Sequence, residues 1–255
     1  MLLEQLFGLN GQKALVTGAS RGLGQAIAVA LAQAGAEVWC ASSGAGGCAE
    51  TLAQIQAAGG KAHPLCADLA DTQAVLNLAT QAQAQAGQID ILVNCGGTIS
   101  RTPAKDFALT DWQQNLAVNL DATFLLSQQL GKAMLERGQG KIINIASMLS
   151  YSGGITVPAY TASKHAVVGL TRALANEWAG QGVNVNAIAP GYFRTDNTAA
   201  LQANAERNQQ ILARLPAGRW GEPADLAGAV VFLASKASDY VHGHVLAVDG
   251  GWLAR

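Results

Sequence analysis

Seven short apolar runs punctuate this chain, and longer stretches of helical character separate them. They read KALVT, AEVWCA, KAHPLCADL, IDILVN, GKIINIAS, VNVNAIAP and HVLAVDGG. The runs are short and rich in β-branched residues, which marks them as strands. A strand that is apolar on successive residues, rather than on alternate ones, must be covered on both faces. An intervening helix supplies that cover and also the crossover that a parallel neighbour requires. Right-handed crossovers then lead to an α/β fold, a doubly wound parallel sheet of about seven strands flanked by helices.

No linker or shift in composition divides the chain, so residues 1–255 are expected to form one domain. Long helices are expected over about 112–137 and 158–181. The tract QAQAQAGQ at 81–88 reads as a solvated helix end with a glycine stop. The least regular stretch is polar and follows the sixth strand, over residues 191–223. Open α/β sheets bind ligands at the carboxyl ends of their strands. A segment leaving that edge is a candidate substrate lid.

Charge narrows the partners. Sixteen Lys and Arg stand against seventeen Asp and Glu, for a net charge of −1. That balance favours neither nucleic acid nor an anionic membrane. No apolar run approaches the about 18 residues that span a bilayer. The start MLLEQLFGLN lacks a basic leader region and carries Glu4, so no secretory signal is expected and the protein is read as cytoplasmic. Cys40, Cys48, Cys66 and Cys95 form no C-x-x-C pair and are expected as small core residues in a reducing compartment. His63, His242 and His244 have no local pair of acids, and no catalytic metal is expected.

The loop VTGASRGLG joins the first strand to the first long helix, with Gly18, Gly22 and Gly24 spaced G-x-x-x-G-x-G. Glycines at such a turn let backbone N–H groups and a helix N-terminus meet a pyrophosphate. Ser20, Arg21 and Leu23 complete the turn. Further on, Tyr160 and Lys164 lie four residues apart, and Ser147 precedes the tyrosine by thirteen. Residues i and i+4 share a helix face. Free tyrosine has a pKa near about 10. A neighbouring ammonium is expected to lower it, so that the phenol exchanges protons near neutrality.

These features together resemble the short-chain dehydrogenase/reductase family, whose fold is of the Rossmann type. Its T-G-x-x-x-G-x-G pattern matches residues 17–24. Its N-N-A-G pattern stands here as NCGG at 94–97, with Cys95 and Gly96 as departures. Its helix asparagine matches Asn119, its serine Ser147, its Y-x-x-x-K Tyr160 and Lys164, and its P-G Pro190 and Gly191, with Thr195 beyond. The resemblance implies a nicotinamide-dependent interconversion of ketone and secondary alcohol. Tyr160 would be the acid or base and Ser147 would hold the substrate oxygen. Lys164 would bind the nicotinamide ribose, and Asn119 would anchor a water leading to solvent. Asn94 and Gly96 would border the cofactor, and Asp68, with Leu69 beside it, would meet the adenine. The resemblance also implies a homotetramer.

The second strand ends at Ser42 and Ser43, where an acid would favour NAD and repel a 2′-phosphate. With no acid there and Arg21 in the glycine loop, NADP is slightly preferred over NAD. GGITVPAYTASK, NEWA, VNAIAPGY, LPAGRWG and the terminal VDGGWLAR resemble the 2-dehydro-3-deoxygluconate and gluconate 5-dehydrogenases. A sugar acid needs a cation for its carboxylate, and Arg101 and Arg194 are the candidates. A general carbonyl reductase, a 3-oxoacyl-carrier-protein reductase and a non-enzymatic nucleotide sensor on the same fold stay open at this point.

Overall fold

In the computed structural model, which describes residues 2–255, the expected strands form one fully parallel sheet. In chain order the elements are α1 (Leu2–Phe7), β1 (Lys13–Thr17), α2 (Gly22–Gln33), β2 (Glu37–Ser42), α3 (Ala49–Ala57) and β3 (Lys61–Cys66). There follow α4 (Thr72–Ala86), β4 (Ile91–Asn94), α5 (Leu109–Leu116), α6 (Ala122–Arg137), β5 (Gly140–Ile145) and α7 (Pro158–Trp178). The chain closes with β6 (Val183–Pro190), α8 (Ala199–Ala203), α9 (Ala205–Arg214), α10 (Ala227–Ala234) and β7 (Val245–Val248). The strand order is β3-β2-β1-β4-β5-β6-β7. The chain builds outwards from β1 to β3, then returns to β4 and builds the other way. The carboxyl ends of β1 and β4 therefore border the switch point at which such sheets open a crevice.

Period-two alternation divides each strand between two cores. Ala14, Val16, Val38, Cys40, Ile91 and Val93 pack on the side covered by α2 and α10. Leu15, Trp39, Ala41, Leu92 and Ile142 pack on the side of α4 and α6. All four residues of β4 and all eight of β6 are buried, the outcome expected of a doubly covered parallel sheet. The edge strand β3 has only Leu65 buried. Cys66 is consequently exposed, not a core residue as expected, while Cys40 and Cys48 are buried. The tract at 81–88 is one-sided rather than solvated, because Ala82 and Ala86 face the core beneath exposed Gln81 and Gln85. Its helix is capped by Asp71, whose carboxylate accepts from Gln73 N–H, and stops at Gly87 with φ 75°.

Two departures concern the expected long helices. The one expected from 112 begins at Leu109 and is broken by a π turn over Ala117–Asp121. The segment 191–223 carries helices of its own, α8 and α9. A parallel bridge between Phe193 and Gly221 closes its base. Its apolar side rests on a separate small core of Met148, Ile211, Leu215, Trp220 and Trp252, with Tyr192 packed edge-on against both tryptophans. None of the helices among the described residues is long and apolar enough to cross a membrane.

A buried polar chain crosses the sheet below the switch point. Asn94 Nδ2 donates to Asn144 Oδ1 at 2.9 Å, and Asn144 Nδ2 donates to Thr171 Oγ1 at 3.0 Å. Replacing Asn144 by Leu removes one bond from each partner, while Asn94 keeps Ser127 Oγ and Thr171 keeps the Val167 carbonyl. We expect a loss of about 1–3 kcal/mol in urea unfolding, at about 0.5–1.5 kcal/mol for each hydrogen bond removed.

Candidate active site

The turn between β1 and α2 and the loop after β4 approach each other closely. Gly18 has φ 65°, and a Cβ there would stand 2.8 Å from Gly96 Cα. A Cβ on Gly24 would stand 2.1 Å from the Gly18 carbonyl oxygen. Both positions thus require glycine. Thr17 Oγ1 accepts from Cys95 N–H and Gly96 N–H, each at 3.0 Å, which fixes the second loop against the first. Above them lies a cleft of about 460 Å³.

The cleft suits a dinucleotide in three ways. Arg21, the residue preceding α2, gives no side-chain cap to the helix. The first N–H groups of α2 therefore have no intrahelical acceptor and no side-chain cap, the arrangement that takes a pyrophosphate. Ser20, Arg21, Gly22, Leu23, Ser42 and Ser43 line the cleft together with Asp68 and Leu69. Pro190, Gly191, Thr195, Tyr160 and Lys164 line it as well, and a Cβ at Gly22 would stand 3.4 Å from Thr195 Cγ2. The β2 end carries no carboxylate. Leu69 explains the departure at Gly96: its Cδ1 lies 2.3 Å from where a Cβ at 96 would stand, so leucine fills the space an alanine methyl would need.

Asn94 is not part of the cleft wall. In register with Asn144, it points into the core and donates to Ser127 Oγ at 3.1 Å as well as to Asn144. It holds the loop that follows rather than meeting a cofactor itself. Asn119 is likewise buried, and the π turn delivers it to Thr98. Its Oδ1 accepts from Thr98 N–H at 2.8 Å, and its Nδ2 donates to Thr98 O at 2.9 Å and to Ser163 Oγ at 3.1 Å. A Cβ at Gly97 would stand 3.3 Å from Asn119 Oδ1 and 3.9 Å from Lys164 Nζ, so both converge beneath that glycine.

Ser147 lies just past β5 in extended backbone, where its Oγ accepts from Leu149 N–H at 3.1 Å. Tyr160 and Lys164 lie one turn apart on α7, with Nζ 5.6 Å from the phenol ring centroid. Lys164 Nζ donates to the Ile145 carbonyl at 2.5 Å, and Ser150 Oγ donates to Lys164 O at 2.7 Å. Burial pushes the Lys164 ammonium down to about 8. Tyr160 is half-buried and lines the cleft. Burial is the main cause and raises the phenol, the Ser147 hydroxyl and the Arg101 charge draw it back, and Cys95 adds to the rise. The expected lowering of the tyrosine by Lys164 is thus not the dominant effect: desolvation outweighs it, and the nearby cation acting on the phenol is Arg101. Cys95, whose thiol burial pushes up to about 11, lies near enough to Lys164 to feel its charge.

The two candidate arginines part company. Arg101 sits in a loop tied by Thr102 N–H to the Thr156 carbonyl at 2.9 Å. Thr156 is the one non-glycine residue with positive φ among the described residues, at 62°. From there Arg101 crosses to the main-chain carbonyl of Asn197 at 2.8 Å. Arg194 instead points along the lid, paired with Glu222 at 2.9 Å and Gln202 at 3.2 Å, because the Phe193–Gly221 bridge sets Glu222 beside it. It is not among the residues that line the cleft. Thr98, Phe193, Asp196, Asn197 and Thr198 line the cleft without having been anticipated. The only sequence signal for the last group was the T-x-x-T of TDNT, which forms a capping box between Thr195 and Thr198. No three His, Cys, Asp or Glu side chains among the described residues gather as a metal site.

Residues 18–253 match the family model adh_short_C2, described as enoyl-(acyl carrier protein) reductase. The chain is 52% identical over 253 residues to a 2-dehydro-3-deoxy-D-gluconate 5-dehydrogenase of Bacillus subtilis (strain 168), covering 99% of each. It is 51% identical over 255 residues to the protein of that name in Escherichia coli (strain K12), covering 100% of each. Among solved structures it resembles a gluconate 5-dehydrogenase from Burkholderia cenocepacia J2315 in complex with NADP and tartrate. That match has a TM-score of 0.95 and 39% identity over 99% of each chain.

The lowered lysine has a signed consequence. With the folded pKa near 8, against 10.5 for the free side chain, the unfolded chain binds more protons between those values. The buried ammonium therefore costs stability at neutral pH, and that cost fades as pH rises from about 8 to about 10.5. Lys164→Met should be more stable than the parent at pH 7, by on the order of 3 kcal/mol, with the gap closing by pH 10. Urea melts of both proteins across that range measure it.

Proposed function

The chain belongs to the short-chain dehydrogenase/reductase family, and from that premise we propose that it is an NADP- or NAD-dependent oxidoreductase. It interconverts a ketone and a secondary alcohol on a sugar acid of the 2-dehydro-3-deoxygluconate or gluconate type. One observation carries the reading: the Tyr160 phenol, with Ser147 and Arg101 close enough to shift its acidity, stands in the same cleft as the uncapped start of α2. The names of the relatives support the substrate class.

When bound, the nicotinamide supplies or accepts the hydride. The protein's part is the proton and the alignment. Ser147 and Tyr160 both offer O–H groups to the substrate oxygen. As charge develops on that oxygen during reduction, Tyr160 gives up its proton. The raised phenol pKa keeps that proton in place at neutral pH. In the oxidative direction the same oxygen must accept a proton, and Arg101 stabilises the phenolate that does so. Lys164 also offers its ammonium to the cofactor ribose. Asn119 is a positioning residue, holding Thr98 and Ser163 so that Lys164 has a fixed floor. Arg101 pairs with the substrate carboxylate, exchanging the Asn197 carbonyl for a stronger, charged acceptor.

Residues 191–223 act as the lid of a single domain spanning 1–255. The enzyme works as a homotetramer, a reading that the exposed Leu109 on α5 and Phe124 on α6 support. Four free cysteines suit a reducing cytoplasm.

Reduced-nicotinamide absorbance, followed with keto sugar acids, a 3-oxoacyl thioester and a bulky ketone, tests the reaction. Turnover confined to the keto acids is expected. Turnover on the thioester or the ketone alone would overturn the substrate class. Tyr160→Phe should lower kcat by about 10²–10⁴-fold while nucleotide binding persists. Arg101→Ala should raise KM for the acid at least about tenfold, the loss of one charge-assisted pair, and leave KM for a neutral ketone unchanged.

A further inference from the structure

An ion pair spans the mouth of the cleft. Arg21 Nε, on the glycine turn, lies 3.0 Å from Asp196 Oδ2, on the lid, with the two side chains 72% and 77% exposed. The lid end of this pair is firmly built. Thr195 and Thr198 form a reciprocal cap, and Thr198 Oγ1 donates to the Phe193 carbonyl at 2.6 Å. The other end runs beside β2, because Ala19 N–H donates to the Ala41 carbonyl at 3.0 Å. Ser42, which ends β2, and Ser43 line the same cleft as Arg21.

We propose that Asp196 sets the preference between NADP and NAD by competing with the adenosine 2′-phosphate for Arg21. The proposal rests on the nicotinamide-dependent reading above. In sheets of this type an acid at the end of the second strand discriminates by binding the ribose hydroxyls and repelling a phosphate. Here that position holds serine, and the acid stands across the cleft on the lid, acting through the arginine. A 2′-hydroxyl leaves the Arg21–Asp196 pair intact. A 2′-phosphate has to take the guanidinium from Asp196. Because the pair is exposed, it holds Arg21 only weakly, so NADP is taxed rather than excluded. Both dinucleotides are then usable, and the balance between them depends on one carboxylate.

The test uses fragments that report the phosphate without turnover. Calorimetric titrations with 2′,5′-ADP and with ADP compare the parent, Asp196→Asn, Arg21→Gln and the double variant at low salt. Asp196→Asn should tighten 2′,5′-ADP by about two- to fivefold, the worth of an exposed pair, and leave ADP unchanged. The gain should shrink at high salt. Arg21→Gln should weaken 2′,5′-ADP, and adding Asp196→Asn to it should change nothing. Equal effects on both fragments, no effect on either, or a gain that survives without Arg21 would each overturn the proposal. If the parent bound neither fragment, the nucleotide-dependent reading itself would fall, and the proposal with it.

Discussion

The close contact between the β1–α2 turn and the loop after β4 governs what the rest of the molecule can do. Gly18 meets Gly96 backbone to backbone, and the Thr17 hydroxyl receives two N–H groups from across the switch point. This holds the two halves of the sheet together where they would otherwise diverge. It also frees the space above, since Thr17 supplies the side chain of the contact and the two glycines add no side-chain volume to it. The cleft is therefore a consequence of sheet topology, kept open by the absence of atoms at two positions.

Chemistry in the cleft is set mainly by desolvation. Lys164, Tyr160 and Cys95 are each driven towards their neutral forms by burial, with charge–charge effects as corrections. Such a site stores unfavourable solvation that a bound anion or developing charge can relieve. The lysine is kept from collapsing elsewhere by the Ile145 carbonyl, and the tyrosine by its place one turn earlier on α7. Stability and reactivity are thus opposed at the same two side chains.

The sheet was legible because its signal is redundant: seven apolar runs, each separated from the next by helix. The glycine turn and the Tyr160–Lys164 pair were legible from spacing, because spacing on a turn or a helix translates directly into position. Other features depend on pairing between distant residues, which spacing does not encode. Asn94 turned inward because Asn144 lies opposite it in register, fifty residues away. Arg194 was captured by Glu222 across a one-residue bridge. The lid's helices were hidden by polar composition, since α9 buries only Ile211 fully and rests on Trp220, from the lid itself, and Trp252, from the last residues of the chain. The direction of the tyrosine shift was missed for a related reason. A sequence shows a neighbouring charge but not how much water has been removed.

The π turn between α5 and α6 has a consequence for how this chain can vary. One extra residue in a helical turn rotates everything that follows by about 100° relative to an uninterrupted helix. Asn119 lies within that turn, and Thr123, Leu126 and Leu130 take their facing from it. A single-codon deletion here would leave the composition and local helical propensity of the segment almost untouched. It would nevertheless swing Asn119 away from Thr98 and turn the packed side of α6 out of its core. Asn119 apart, substitutions in this stretch are therefore a milder kind of change than any alteration of its length.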